Sequence, residues 1–140
     1  MTRAGERARG RMWLPFKDWE GPVGTFDWPI RLDSMDGERS LHLDALVDTG
    51  SSCTSAPAGL LRELGVVPKV KVRMELADGR TAIYDMGEAR ATVSGRSAIT
   101  WVTFGDDDAR PLLGAHTLQG LLLTVDPWKH EVVPTPYLLR

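Results

Sequence analysis

Four turn signals recur at short intervals along this chain: Asp36-Gly37, Asp78-Gly79, Ser94-Gly95 and Asp126-Pro127. Asp-Gly and Ser-Gly pairs supply the positive φ angles that tight hairpin turns need, and Asp-Pro favours turn initiation. The segments between them alternate apolar and polar residues, as in Leu41, Leu43, Ala45 and Val47 against His42, Asp44 and Leu46. A period of two puts successive side chains on opposite faces, which is the pattern of a half-buried strand. Such a chain has room for many short strands and only short helices.

The remaining segments fill in that outline. Thr25, Phe26, Trp28, Ile30 and Leu32 predict an extended stretch broken at Pro29, joined to Leu41–Val47 by the turn at Ser34-Met35-Asp36-Gly37. Leu60, Leu61 and Leu64 ahead of Gly65 have the spacing and stop signal of one short helix. Val70, Val72, Met74 and Leu76 predict a strand that returns through Thr81, Ile83 and Tyr84, followed by separate strands over Ala89–Val93 and Ile99–Phe104. A second short helix is expected over His116–Leu121, and two closing strands over Leu123–Val125 and Glu131–Val133. The expected class is mostly β, a closed or sandwich-like barrel with one or two short helices. Residues 23–134 are assigned to this domain, 1–22 to an N-terminal arm and 135–140 to a C-terminal tail.

Composition sets the limits of function. The chain has 140 residues, 42% of them hydrophobic, enough for one core without metal or disulfide staples. A single cysteine, Cys53, forbids an internal disulfide and fits a reducing compartment. With 17 Lys+Arg against 19 Asp+Glu, the net charge of −2 gives no reason to expect nucleic acid or membrane as a partner. The local exception is Arg3, Arg7, Arg9 and Arg11, which fit either a solvated tail or an arm touching phosphate. No secretory signal or spanning apolar run is evident, so a cytoplasmic location is expected.

The segment that carries chemistry is Ala45-Leu46-Val47-Asp48-Thr49-Gly50-Ser51-Ser52, an apolar strand ending in a carboxylate, a hydroxyl, a glycine and two serines. On local grounds it fits a turn and a catalytic loop equally well. Other groups have plainer readings. Cys53 is a candidate nucleophile with His42, His116 or His130, or a small core residue. The run Asp106-Asp107-Asp108 fits a solvated turn better than a metal site, because adjacent positions do not converge on one ion. The three histidines lack metal-ligand spacing. Asp33, Asp44 and Asp126 are alternative carboxylates at strand edges or turns, and the five tryptophans suit core or arm docking.

The Asp48-Thr49-Gly50-Ser51 segment resembles the active-site loop of retropepsin-like, retroviral-type aspartic proteases. Leu112-Leu113-Gly114, followed by a short helix, resembles the element that packs behind that loop, and the hairpin Met74–Tyr84 stands where the family has its flap. The resemblance extends in order from about Val23 to Pro134. It implies a small single-domain aspartic endopeptidase with no cofactor and no metal, acting on peptide or unfolded-protein substrates. Two carboxylates sharing one proton can deprotonate a water on one side and protonate a leaving nitrogen on the other. The chain has only one Asp-Thr-Gly, so a homodimer is implied, with Asp48 of each copy facing the other across a two-fold axis.

The resemblance also implies roles for neighbouring residues. Thr49 would clamp the two loops across the axis, Gly50 would let backbone approach the carboxylate, and Ser51 would hold its outer oxygen. Leu113 and Gly114 would pack beneath the loop. Ala77, Asp78, Gly79 and Arg80 would form the flap tip that closes over an extended peptide. Two features depart from the family pattern. Ser52-Cys53-Thr54-Ser55-Ala56 is more polar than the apolar strand expected there, and the candidate dimer strands, Glu131–Val133 and Thr135–Leu139, are interrupted by prolines. The alternative function is a catalytically silent dimer of the same fold that binds extended peptides or partner proteins.

Overall fold

The computed structural model describes residues 25–136; the expected N-terminal arm and most of the expected tail lie outside them. The first hairpin comprises β1 (Phe26–Asp33) and β2 (Ser40–Val47), paired antiparallel from Phe26↔Val47 to Asp33↔Ser40. The strand is not broken at Pro29, which sits within it opposite Asp44. A strand tolerates proline where its other edge is open, and β1 meets its second neighbour only at Arg31–Asp33.

Next come β3 (Thr54–Pro57) and helix α1 (Ala58–Leu64), which ends at Gly65. The helix buries Leu61 and Leu64. Its entry has no side-chain cap from Pro57, but the Gly59 N–H donates to Asp107 Oδ1 at 2.8 Å. The middle carboxylate of the aspartate run therefore caps a helix 48 positions away in sequence. Among the described residues no acidic, histidine or cysteine cluster could hold a metal ion.

A long hairpin follows: β4 (Val70–Glu75), β5 (Thr81–Val93) and, after the Ser94-Gly95 turn, β6 (Arg96–Gly105). The expected strands at Thr81–Tyr84 and Ala89–Val93 are one strand of 13 residues. Its apolar face changes sides midway. Gly87, Ala89, Ala91 and Val93 face the core, whereas Ala82, Tyr84 and Met86 lie on the opposite face with Val70, Val72 and Met74 across the ladder. That slip of one residue in the alternation looks like a break in sequence. The chain closes with β7 (Leu112–Leu113), α2 (Ala115–Gly120), β8 (Leu123–Asp126) and β9 (Glu131–Pro134).

The strand order is β1-β2-β7-β3-β6-β5-β4, and β1 also pairs β5 through Arg31↔Thr92 and Asp33↔Arg90. The sheet thus closes on itself as a barrel, with β4 standing outside the ring as the outer strand of a hairpin. Strands β8 and β9 form a separate two-stranded ladder. Leu32, Val47, Leu61, Val93, Val102 and Leu113 are fully buried in the barrel, each contributing roughly 1.5–3 kcal/mol relative to exposure. Val47 and Leu113 are opposite partners in the parallel β2–β7 pairing, so the core is packed up to the residue before Asp48.

Candidate active site

Asp48 leaves the end of β2 at a point held from behind. The Leu46 N–H donates to Pro111 O at 2.9 Å and the Asp48 N–H to Leu113 O at 3.1 Å, so β7 ties down both sides of Val47. The chain then turns back on itself, with the Ser51 N–H donating to Asp48 O at 3.0 Å. Two donors hold the half-buried carboxylate: the Gly50 N–H reaches Oδ1 at 3.0 Å and the Ser51 hydroxyl reaches Oδ2 at 3.2 Å. One donor per oxygen sets the plane of the group. A Cβ at position 50 would lie 3.2 Å from Asp48 Oδ1, so glycine lets the backbone come that near.

The segment after β7 holds the rest of the loop. The Ala115 N–H donates to Ser51 O at 2.8 Å and the His116 N–H to Ser52 O at 3.0 Å. Between them Gly114 lies flat on the backbone of Cys53. A Cβ there would be 2.4 Å from the Cys53 carbonyl carbon and 2.5 Å from its oxygen, closer than any real contact. Only glycine fits. The Gly114 N–H is accepted by Thr54 Oγ1 at 3.0 Å. The structure therefore brings together Asp48, Gly50, Ser51, Leu113 and Gly114, with Thr49 exposed at the loop's outer turn.

The residues expected at the flap tip, Ala77, Asp78, Gly79 and Arg80, are all exposed at the end of the β4–β5 hairpin. They are held by one another. The Leu76 N–H donates to Arg80 O at 2.7 Å, the Gly79 N–H to Leu76 O at 2.9 Å, and the Arg80 N–H to Asp78 Oδ1 at 3.0 Å. That backbone bond, together with the Arg80 guanidinium on Oδ2, holds the Asp78 carboxyl below the ordinary aspartate value.

The other candidates have structural surroundings of their own, and His116 and Cys53 meet the site through their backbones. Asp33 sits at the far end of β1 from Val47 and is held below its ordinary pKa first by the Ser40 hydroxyl and then by Arg31. Asp44 is exposed, and Asp126 accepts from the Trp128 and Lys129 amides in the β8–β9 turn. Burial pushes the Cys53 thiol up, which keeps it protonated at neutral pH and works against a nucleophile. His130 stacks on Phe26 with ring centroids 5.3 Å apart. Sequence reasoning missed Thr54 and Thr117, two buried hydroxyls beneath the loop. The signal available was the polar run Ser52–Ser55 itself, standing where a strand should be apolar.

Neither a protein-family model nor a curated protein matches the sequence. Solved structures do match in shape. The foamy viral protease-reverse transcriptase, solved with an RNA/DNA hybrid, superposes with a TM-score of 0.51 at 16% identity, over 83% of this chain and 13% of that one. The Simian Foamy Virus (mac) protease matches at 0.48 and 17% identity over 67% of this chain and 92% of its own. The retroviral protease-like domain of Ddi1 from Leishmania major matches at 0.49 and 15% identity over 81% and 94%. The closed barrel, the protruding hairpin and the short helix behind the loop make this a retropepsin-like fold.

Proposed function

We propose that the protein is an aspartic endopeptidase that works as a homodimer, with water activated between the Asp48 carboxylates of the two copies. The observation that carries this reading is the hold on Asp48: a carboxylate at a strand end, with a separate donor on each oxygen and a backbone anchored by β7. A plain turn has no need of that second layer of anchoring. Catalysis by paired carboxylates depends on fixed orientation, since the proton must pass from water to one oxygen and on to the leaving nitrogen.

One loop per chain supports the dimer, because a two-fold axis is the direct way to bring a second carboxylate opposite the first. In the dimer Thr49, exposed at the outer turn, is the residue assigned to the clamp between loops. The segment Glu131–Val133, one of the candidate dimer strands, already pairs with β8. Each of β8 and β9 keeps one edge without a ladder among the described residues, and these edges are the assigned place for pairing between copies. The substrate is an extended peptide lying between the Asp48 loop and the tip Ala77–Arg80, with flap backbone groups adding hydrogen bonds to it. The chemistry calls for no cofactor. No helix among the described residues is long and apolar enough to cross a membrane, and a cytoplasmic site of action is proposed.

The test is cleavage of a diverse peptide mixture by wild type and Asp48→Asn from about pH 3.5 to 7.5, so that a dependence on carboxylate protonation is seen. Cuts present with wild type and absent with the variant establish the activity and its side-chain preferences. A folded dimer whose cuts, if any, do not depend on Asp48 would leave the peptide-binding reading in its place.

A further inference from the structure

The polar run Ser52–Ser55 breaks the pattern expected of the strand behind an active-site loop, and the structure gives part of it a purpose. Thr54 and Thr117 are almost wholly buried, at 0% and 2% exposure, yet neither hydroxyl is idle. Thr54 Oγ1 lies 2.6 Å from Thr117 Oγ1, which lies 2.9 Å from Thr100 Oγ1. Thr100 in turn reaches Trp101 O at 3.5 Å. The three residues come from β3, α2 and β6, three elements that meet under the Asp48 loop.

Proton counting fixes a direction. The Gly114 N–H donates to Thr54 Oγ1, so Thr54 is an acceptor there. A hydroxyl carries one proton, and among the described residues the acceptor within reach of Thr54's proton is Thr117. Thr117 must then send its own proton to Thr100, which is half-buried and can pass its own to the Trp101 carbonyl or to solvent. Hydrogen bonds aligned head to tail polarise one another. Each donation along the row makes Thr54 a better acceptor for the Gly114 N–H.

We propose that Thr54, Thr117 and Thr100 form a one-way hydroxyl relay that positions the Asp48 loop from below, making Thr54 and Thr117 positioning residues of the site. Gly114 is the point of transmission. Its neighbours Leu113, Ala115 and His116 make the three backbone bonds that hold Asp48, Ser51 and Ser52, so a Gly114 that shifts moves the carboxylate. The kinetic consequence rests on the peptidase reading; the mechanical one does not.

Amide hydrogen exchange on the full chain tests the mechanical part without any activity. Thr117→Val keeps the shape of the side chain but removes the link, leaving Thr54 with a buried proton and no acceptor. Exchange at the Gly114 and Asp48 amides should then speed up about tenfold, while Thr124 and Val133, a hydrogen-bonded pair of the β8–β9 ladder, stay at the wild-type rate. Thr117→Ser, which restores the hydroxyl, should return both amides to within about twofold of wild type. In the peptide assay Thr117→Val should lower kcat about tenfold with KM unchanged, and the serine should rescue it. Unchanged exchange at Gly114 and Asp48, an equal rise at Thr124 and Val133, or failure of the serine to rescue would each overturn the relay. Should Thr117→Val fail to fold, Thr100→Val at the outer end of the row replaces it, with a smaller rise expected at the same two amides and no rise counting against the proposal. If wild type cuts no peptide, the exchange result still decides the relay and only the peptidase reading falls.

Discussion

The Asp48 loop and the tip of the β4–β5 hairpin are both turns containing Asp and Gly, and they are held in opposite ways. The loop's backbone is tied to Leu113, Ala115 and His116, residues far away in sequence, and its floor is Gly114 against Cys53. The tip is tied only within Leu76–Arg80. Long-range ties fix a group relative to the rest of the molecule, whereas local ties fix a shape that can swing as a unit. In the proposed peptidase, a carboxylate that must face its twin needs the first, and a cover that must admit and release a peptide needs the second.

The two turns should differ most in their response at Asp48. Asp48→Asn should lower cleavage on the order of 10³-fold with little change in thermal unfolding, measured by peptide mass spectrometry and calorimetry. Retained cleavage would put the chemistry elsewhere. Gly114→Ala comes next, since its Cβ would collide with Cys53 backbone that has no flexible end to yield. It should cost about 3 kcal/mol in denaturant unfolding and remove activity through displacement of the loop. Leu113→Ala, in a fully buried position, should cost about 2–5 kcal/mol. By contrast, Asp78→Ala at the exposed tip should leave the unfolding midpoint where it is and raise KM several-fold with kcat nearly unchanged. A large loss of stability there would show that the tip is tied to the body after all.

The smallest effect is a pH dependence confined to the tip. The Asp78 carboxyl is lowered in the folded chain by the Arg80 amide and guanidinium. A lowered folded pKa means that its contribution is complete above the unfolded aspartate value, roughly 3.9, and is lost as pH falls through the lower folded one. An NMR titration of the Arg80 amide should therefore show the tip loosening only below that value. Loosening already near neutral pH would contradict the pairing.

Much of the fold could be read directly from the chain. Turn residues and period-two stretches mark the hairpins because backbone preference and burial act locally, and Leu60, Leu61 and Leu64 ahead of Gly65 mark α1 for the same reason. The assignment failed where local pattern and long-range packing diverge. Strand β5 looks like two strands because its apolar face changes sides where it leaves the barrel at Met86 and Gly87. Pro29 looks like a break because nothing nearby in sequence says that one edge of β1 is open along most of its length.

The candidate site divides along the same line. Asp48, Gly50 and Ser51 are neighbours in sequence, so their mutual hydrogen bonds follow from a turn that local chemistry already favours. The strand-and-turn outline and the carboxylate loop thus follow from local residue chemistry. The anchoring of that loop comes from long-range packing: the closure of β1 on β5, the contact of Gly114 with Cys53 across some 60 positions, and the row of threonines from three separate elements. Their partners are distant along the chain, and a hydroxyl in a strand reveals whether it is solvated or buried and bonded only when the rest of the molecule has closed around it.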